Sequence, residues 1–184
     1  MATIQRTPMI DDDGTGTTGT VINAAWKSEL YDQIDAAIAA GGGVKLYASV
    51  SSVSGQSIPS GAHTPLVFLT EDVDVGGLFA PAQNTRLTIP AGGAGFYLLS
   101  GIATMAPSSS TAPYIAGVRL NGGTYLAFIG GVFHPAAGTG CALGLQLLLN
   151  AGDFLELTMY QTTGGALNSG GGGSTNRFAL NRLA

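Results

Sequence analysis

Gly14, Gly16 and Gly19 fall in the spacing G-x-G-x-x-G within DDDGTGTTGTVINAAW, residues 11–26. In a dinucleotide site that spacing follows a buried strand and lets backbone amides at a helix N-terminus approach a pyrophosphate. Here Asp11, Asp12 and Asp13 come immediately before it. Three carboxylates would repel a phosphate, and no βαβ pattern follows, so the glycines read as a flexible Gly/Thr arm. Asp11 and Asp13 also stand at ligand spacing for an EF-hand, but the twelfth position of that loop is Ile22, where a bidentate acid is required.

The other groups able to do chemistry are carboxylates and two histidines. Asp72 and Asp74, within Glu71-Asp72-Val73-Asp74, project from one face of an extended segment and could share a hard cation such as Ca²⁺. The competing reading is a solvated strand edge whose charges discourage edge-to-edge pairing. His63 and His134 stand far apart beside Thr or Pro, and no His-x-His pair is available to thread metal. A G-x-S-x-G elbow is absent, which removes the familiar nucleophile turn. Glycan hydrolysis would need two acids drawn from Glu71, Asp72, Asp74, Asp153 and Glu156, and Asp153 is already accounted for as a turn residue. No catalytic residue, resident cofactor or enzyme activity is expected.

What must position these groups is a single domain with a short appendage, the simplest organisation for 184 residues. The composition is 45% hydrophobic but only 10% charged, well below the about 25% of an ordinary domain. Surface must therefore be covered by something other than charge. The most apolar run, 141–160, does not read as a membrane-spanning helix, because it is interrupted by Asn150, Gly152, Asp153 and Glu156, which are costly at a bilayer centre. The first residues are acidic and lack an apolar h-region, so no Sec-type signal is expected. A net charge of -4 with 7 Lys and Arg gives no patch for phosphates and makes nucleic acid a poor partner. Cys141 is the only cysteine and reads as a buried small hydrophobe.

Residues 1–22 read as an extended arm. Over 23–40, Trp26, Leu30, Ile34 and Ile38 recur every fourth residue, with Tyr31 widening the stripe, which predicts a helix. Asn23 would cap it and Gly41 to Gly43 stop it. After Gly43 the period changes. Strands are predicted over 45–53, 65–70, 85–89, 96–105, 114–120, 124–133, 142–149, 154–161 and 176–183, a spacing that argues for an antiparallel sandwich or barrel. Leu145, Leu147 and Leu149, then Phe154, Leu155 and Leu157, flank the turn 150–153 and predict an apolar hairpin.

The order Phe79-Ala80-Pro81, Leu87-Thr88-Ile89-Pro90, Gly95-Phe96-Tyr97-Leu98, Leu120-Asn121-Gly122, Gly152-Asp153 with Leu155-Glu156-Leu157, and Arg177-Phe178 with Leu180 resembles the C1q/TNF-like jelly roll. It covers roughly the C-terminal two-thirds of the chain, a scale typical of one sandwich. Ala179 departs from that pattern, standing where Ser followed by Gly is usual. The resemblance implies a ten-stranded jelly roll assembled as a homotrimer, and a subunit interface above about 2,000 Å² would explain the low charge. The segment opening at Asp11 is similar to the start of many tailed-bacteriophage structural proteins, where a D/G/T-rich arm leads into a short helix ahead of a fibre or receptor-binding domain.

Together these imply a virion protein: residues 1–43 for attachment or trimer register, through Trp26, Leu30, Tyr31, Ile34 and Ile38, and residues 44–184 as a jelly-roll head. The stripe serves a short three-helix cluster or a docked helix, since eighteen residues cannot sustain a long coiled coil. Expected partners are two further copies, other virion proteins of the capsid, portal or tail, and a bacterial surface glycan or protein. Candidate contacts are Ser108, Ser109, Ser110, Thr111, Asn121, Tyr125, Asn168, Ser169 and Asn176, because loops on a rigid scaffold carry binding and sugars favour hydroxyls, amides and an aromatic platform. Alternative roles are a capsid decoration or head-fibre protein and, less favoured without collagen-like repeats, a bacterial surface or spore-coat domain.

Overall fold

The computed structural model describes residues 29–33, 45–53, 55–170 and 175–183. The chain falls into two units, Met1–Gly43 and Val44–Ala184. In the first, residues 29–33 are helical, and the Gln33 side chain donates one turn back to Glu29 Oε1 at 3.4 Å. Leu30 is half-buried and Tyr31 exposed. Trp26, Ile34, Ile38 and the glycine arm lie outside the described residues.

The second unit has twelve strands among the described residues: β1 (Tyr47–Ser52), β2 (Gln56–Ile58), β3 (Thr64–Pro65), β4 (Thr70–Val75), β5 (Leu87–Thr88), β6 (Gly95–Met105), β7 (Pro113–Leu120), β8 (Thr124–Val132), β9 (Thr139–Leu149), β10 (Phe154–Gln161), β11 (Leu167–Ser169) and β12 (Asn176–Arg182). One sheet runs β4-β1-β12-β6-β9, with β2 and β11 continuing beyond β12 along the same edge of β6. The other places β3 and β5 on β10, followed by β7 and β8. All of these ladders are antiparallel.

Side-chain alternation explains why the sheets pack face to face. Along β6, Tyr97, Leu99, Ala103 and Met105 are buried while Phe96, Leu98, Ser100 and Ile102 point out, the period of two that a half-buried strand requires. Leu155, Leu157 and Met159 of β10 and Val118 of β7 meet them from the other sheet, in a core that also holds Phe178 of β12. Phe68 stacks on Phe178 at 5.8 Å. Burying a side chain of this kind contributes about 1.5–3 kcal/mol.

The predicted apolar hairpin is corrected. The turn forms as expected, with Gly152 at φ 88° and Asp153 N–H donating to Asn150 O. Its flanking strands, however, do not pair: β9 lies on β6 and β10 lies on β7. Leu149 and Leu155 both belong to the one core, so the chain crosses from one sheet to the other to bury both. Within the run 65–70 only Pro65, the end of β3, and Thr70, the start of β4, are in strands. Leu66 and Phe68 are buried, and their amides reach Leu157 and Asn84 by single bonds.

Candidate functional site

On the outer face of the second sheet, antiparallel register sets Gly117 opposite Phe128, and Arg119 opposite both Tyr125 and Glu156. These side chains alternate with the buried Ala116, Val118, Leu155 and Leu157, so they share one face. Phe128 leans on Gly117, where a Cβ would come within 3.0 Å of two ring atoms. It stacks on Tyr125 at 4.6 Å and 28°. His63, from the segment leading into β3, closes the set, 4.6 Å from Tyr160, 4.9 Å from Tyr125 and 5.7 Å from Phe128. Beside the rings, the Nε and a terminal guanidinium nitrogen of Arg119 both approach Glu156 Oε2 at 2.8 Å.

Burial, and secondarily the Arg119 charge, hold His63 below the ordinary histidine range, because both disfavour the imidazolium. Its Nδ1 is buried without a hydrogen-bond partner among the described residues. Rings, neutral imidazole and ion pair together make a surface of low net charge with polar groups at its margin.

Of the sequence candidates, only Tyr125 belongs to this cluster. Ser108, Ser109, Ser110 and Thr111 occupy the loop at the Pro113 end of β7, where Ser108 N–H donates to His134 O and the Ser108 and Ser110 hydroxyls accept from Ser110 and Ala112 amides. Asn168 lies at that same end, its carbonyl accepting from Ala106 N–H. Ser169 and Asn176 are buried. Asn176 Oδ1 accepts from Thr104 N–H and Thr104 Oγ1, and its amide donates to Ser169 Oγ, so the pair ties strands together instead of facing solvent. Asn121 sits at the opposite end of β7 with φ 52°. Its amide donates to Asp153 Oδ1 and its carbonyl accepts from Phe154 N–H, each at 2.8 Å. Asparagine tolerates the left-handed conformation that this turn demands.

Asp72 and Asp74 do not share a face, contrary to the sequence expectation. The β1–β4 register shifts between Ser49 and Val50, leaving Asp72 as the extra residue of a bulge, and a bulge breaks the strict alternation. Asp72 accepts from Ser49 and Ser51 hydroxyls at 3.1 and 2.8 Å and lies 3.8 Å from Arg177. Asp74 sits opposite Ala48 and accepts from the Leu78 and Phe79 amides. The two carboxylates thus serve different donor sets.

The sequence signals for the aromatic cluster were weak. Tyr125 and Phe128 are near neighbours, but His63 and Tyr160 reach them only through the pairing of β10 with β3 and β7.

These sheets and their connections make a mainly β, C1q/TNF-like jelly roll. Among solved structures the chain is similar to the globular domain of zebrafish complement 1qA (13% identity, 76% of this chain and 98% of that one, TM-score 0.54). It is similar to Eiger TNF from S. frugiperda (16%, 76% and 93%, 0.54) and to PRD1 vertex protein P5 (19%, 78% and 100%, 0.56). No protein-family model and no curated protein sequence matches it. No helix among the described residues is long and apolar enough to cross a membrane.

Proposed function

We propose that this protein is a non-enzymatic structural component of a bacteriophage virion: a homotrimer whose jelly-roll heads face outward to bind a bacterial surface glycan or protein, tethered through residues 1–43. The observation that carries this reading is the sandwich side formed by β8 and β9. Each pairs on one edge only among the described residues, and neither contains a charged residue. Natural edge strands are normally protected by charge, proline or a cover. Around this side, Leu143, Leu145 and Leu147 are only partly buried, and Phe96, Leu98, Ile102 and Leu148 of the first sheet are 58%, 41%, 44% and 63% exposed. Two adjoining apolar surfaces suit a head-to-tail contact that closes into a ring, and the likeness in fold to C1q, TNF-type and vertex proteins supports a displayed, assembling role.

The test has two parts. Light scattering on the purified full chain should give three times the subunit mass, and a monomer would refute the assembly. Imaging of virions labelled through the C-terminus should place it on the particle. Label at a tail tip or baseplate fits receptor binding as its main job. The likeness to a vertex protein favours a second reading, decoration and stabilisation of the capsid shell, which predicts label over the head. Particles without label would refute both.

A further inference from the structure

We propose that the aromatic face formed by His63, Tyr125, Phe128 and Tyr160, with the Arg119–Glu156 pair beside it, is a binding platform for an uncharged pyranose unit of a surface glycan. This rests on the host-binding reading above and gives that binding a location on the fold. A pyranose ring has an apolar C–H face and a rim of hydroxyls. Its C–H groups meet the negative face of an aromatic ring, while a few polar groups fix its orientation.

Each requirement has a counterpart here. Phe128 is 55% exposed yet held in place by Tyr125 and by the absence of a side chain at Gly117. The platform stands on strands β7, β8 and β10, which position groups more precisely than loops. Glu156 Oε2 takes both contacts from Arg119, which leaves Oε1 as an acceptor. The Tyr125 and Tyr160 hydroxyls make no hydrogen bond within the described residues and can serve sugar hydroxyls. Arg119 and Glu156 cancel, and His63 is kept neutral by its burial and by Arg119, so the local charge suits an uncharged ligand better than a phosphate or a carboxylate. Tyr125 and Phe128 stand on β8, whose free edge is assigned to subunit contact, but their rings lie on the outer face of the second sheet and not on the exposed apolar face of the first.

The test uses the full chain with methyl glycosides of glucose, galactose, rhamnose and N-acetylglucosamine as probes. Saturation-transfer NMR should show transfer to at least one of them, with titration giving its Kd. Phe128→Ala should weaken that binding about tenfold, the loss of about 1.4 kcal/mol. Tyr125→Phe should weaken it less, and Leu69→Ala, at an exposed apolar position just before β4, should leave it unchanged. Light scattering of each variant separates this inference from the assembly reading. No transfer from any probe overturns the platform whatever the mass. A fall in mass for Phe128→Ala overturns it too, because the face would then be a contact between copies. Retained glycoside binding in a chain absent from virions would refute the virion reading and leave the platform standing.

Discussion

Replacing Asn121 with alanine and with glycine separates a structural asparagine from a ligand-binding one. Three contributions are lost in Asn121→Ala. The bond from Phe154 N–H contributes about 1 kcal/mol. The bond to Asp153 is charge-assisted but solvent-exposed and is worth about as much. Alanine at φ 52° adds about 1 kcal/mol of backbone strain. The alanine variant should therefore lose about 3 kcal/mol, and Asn121→Gly, free of the strain, about 2 kcal/mol. Urea unfolding followed by far-UV circular dichroism, at one fixed protein concentration, measures both. Asp153 adds a second readout. The Asn121 amide, then the Asn150 amide, hold its carboxyl below the ordinary range. A depressed folded-state pKa stabilises fully above the unfolded value of about 3.9 and is lost as pH falls through the folded value. Asn121→Ala should raise the Asp153 pKa and shrink that acid-side loss. Alanine as stable as glycine would refute the strain argument. An unchanged stability coupled to lost adhesion to host cells would refute the structural role altogether.

Leu157 is fully buried at the centre of β10, so Leu157→Ala should cost about 2–5 kcal/mol in the same unfolding assay. His63 has a folded pKa lowered first by burial and then by Arg119. Its contribution to stability is full above the unfolded value of about 6.5 and is lost as pH falls through the lowered folded value; NMR titration of the imidazole and a His63→Phe variant lacking this slope check it. Leu148→Lys places a charge at an exposed apolar position on β9 and should convert trimer to monomer in light scattering while circular dichroism stays β-rich.

The long strands were legible because their residues alternate. The patterns over β6, β7, β8, β10 and β12 each put apolar side chains two apart, and β9 was read almost to its ends. Where the signal failed, another force set the structure. The 66–69 run looks like a strand because Leu66 and Phe68 are buried, yet it makes only isolated bonds. The reverse holds for Thr70–Val75, whose carboxylates suggest a solvated segment until serine hydroxyls and backbone amides are found to satisfy them. β2 and β11 have three residues each and exist through pairing with one another, a non-local event that no short window records. The stretch 108–111 was legible as a loop, but Tyr125 stands in β8, Asn168 and Ser169 in β11 and Asn176 in β12, and a list of polar residues cannot say that Ser169 and Asn176 face inward. Nor can it bring His63 to Tyr125, a meeting that depends on the register of three strands.

The uncharged edges of β8 and β9 also set a clock. On the proposed assembly, a newly made subunit must find its neighbours before those edges find any other extended chain, and both encounters are second order in concentration. Correct assembly therefore wins through a higher rate constant for the specific encounter or through newly made copies being held close together. Slow, dilute synthesis should favour assembly only where foreign extended chains are scarcer than sister subunits. On the proposed virion role, production of these chains in a concentrated burst would serve assembly better than a steady trickle.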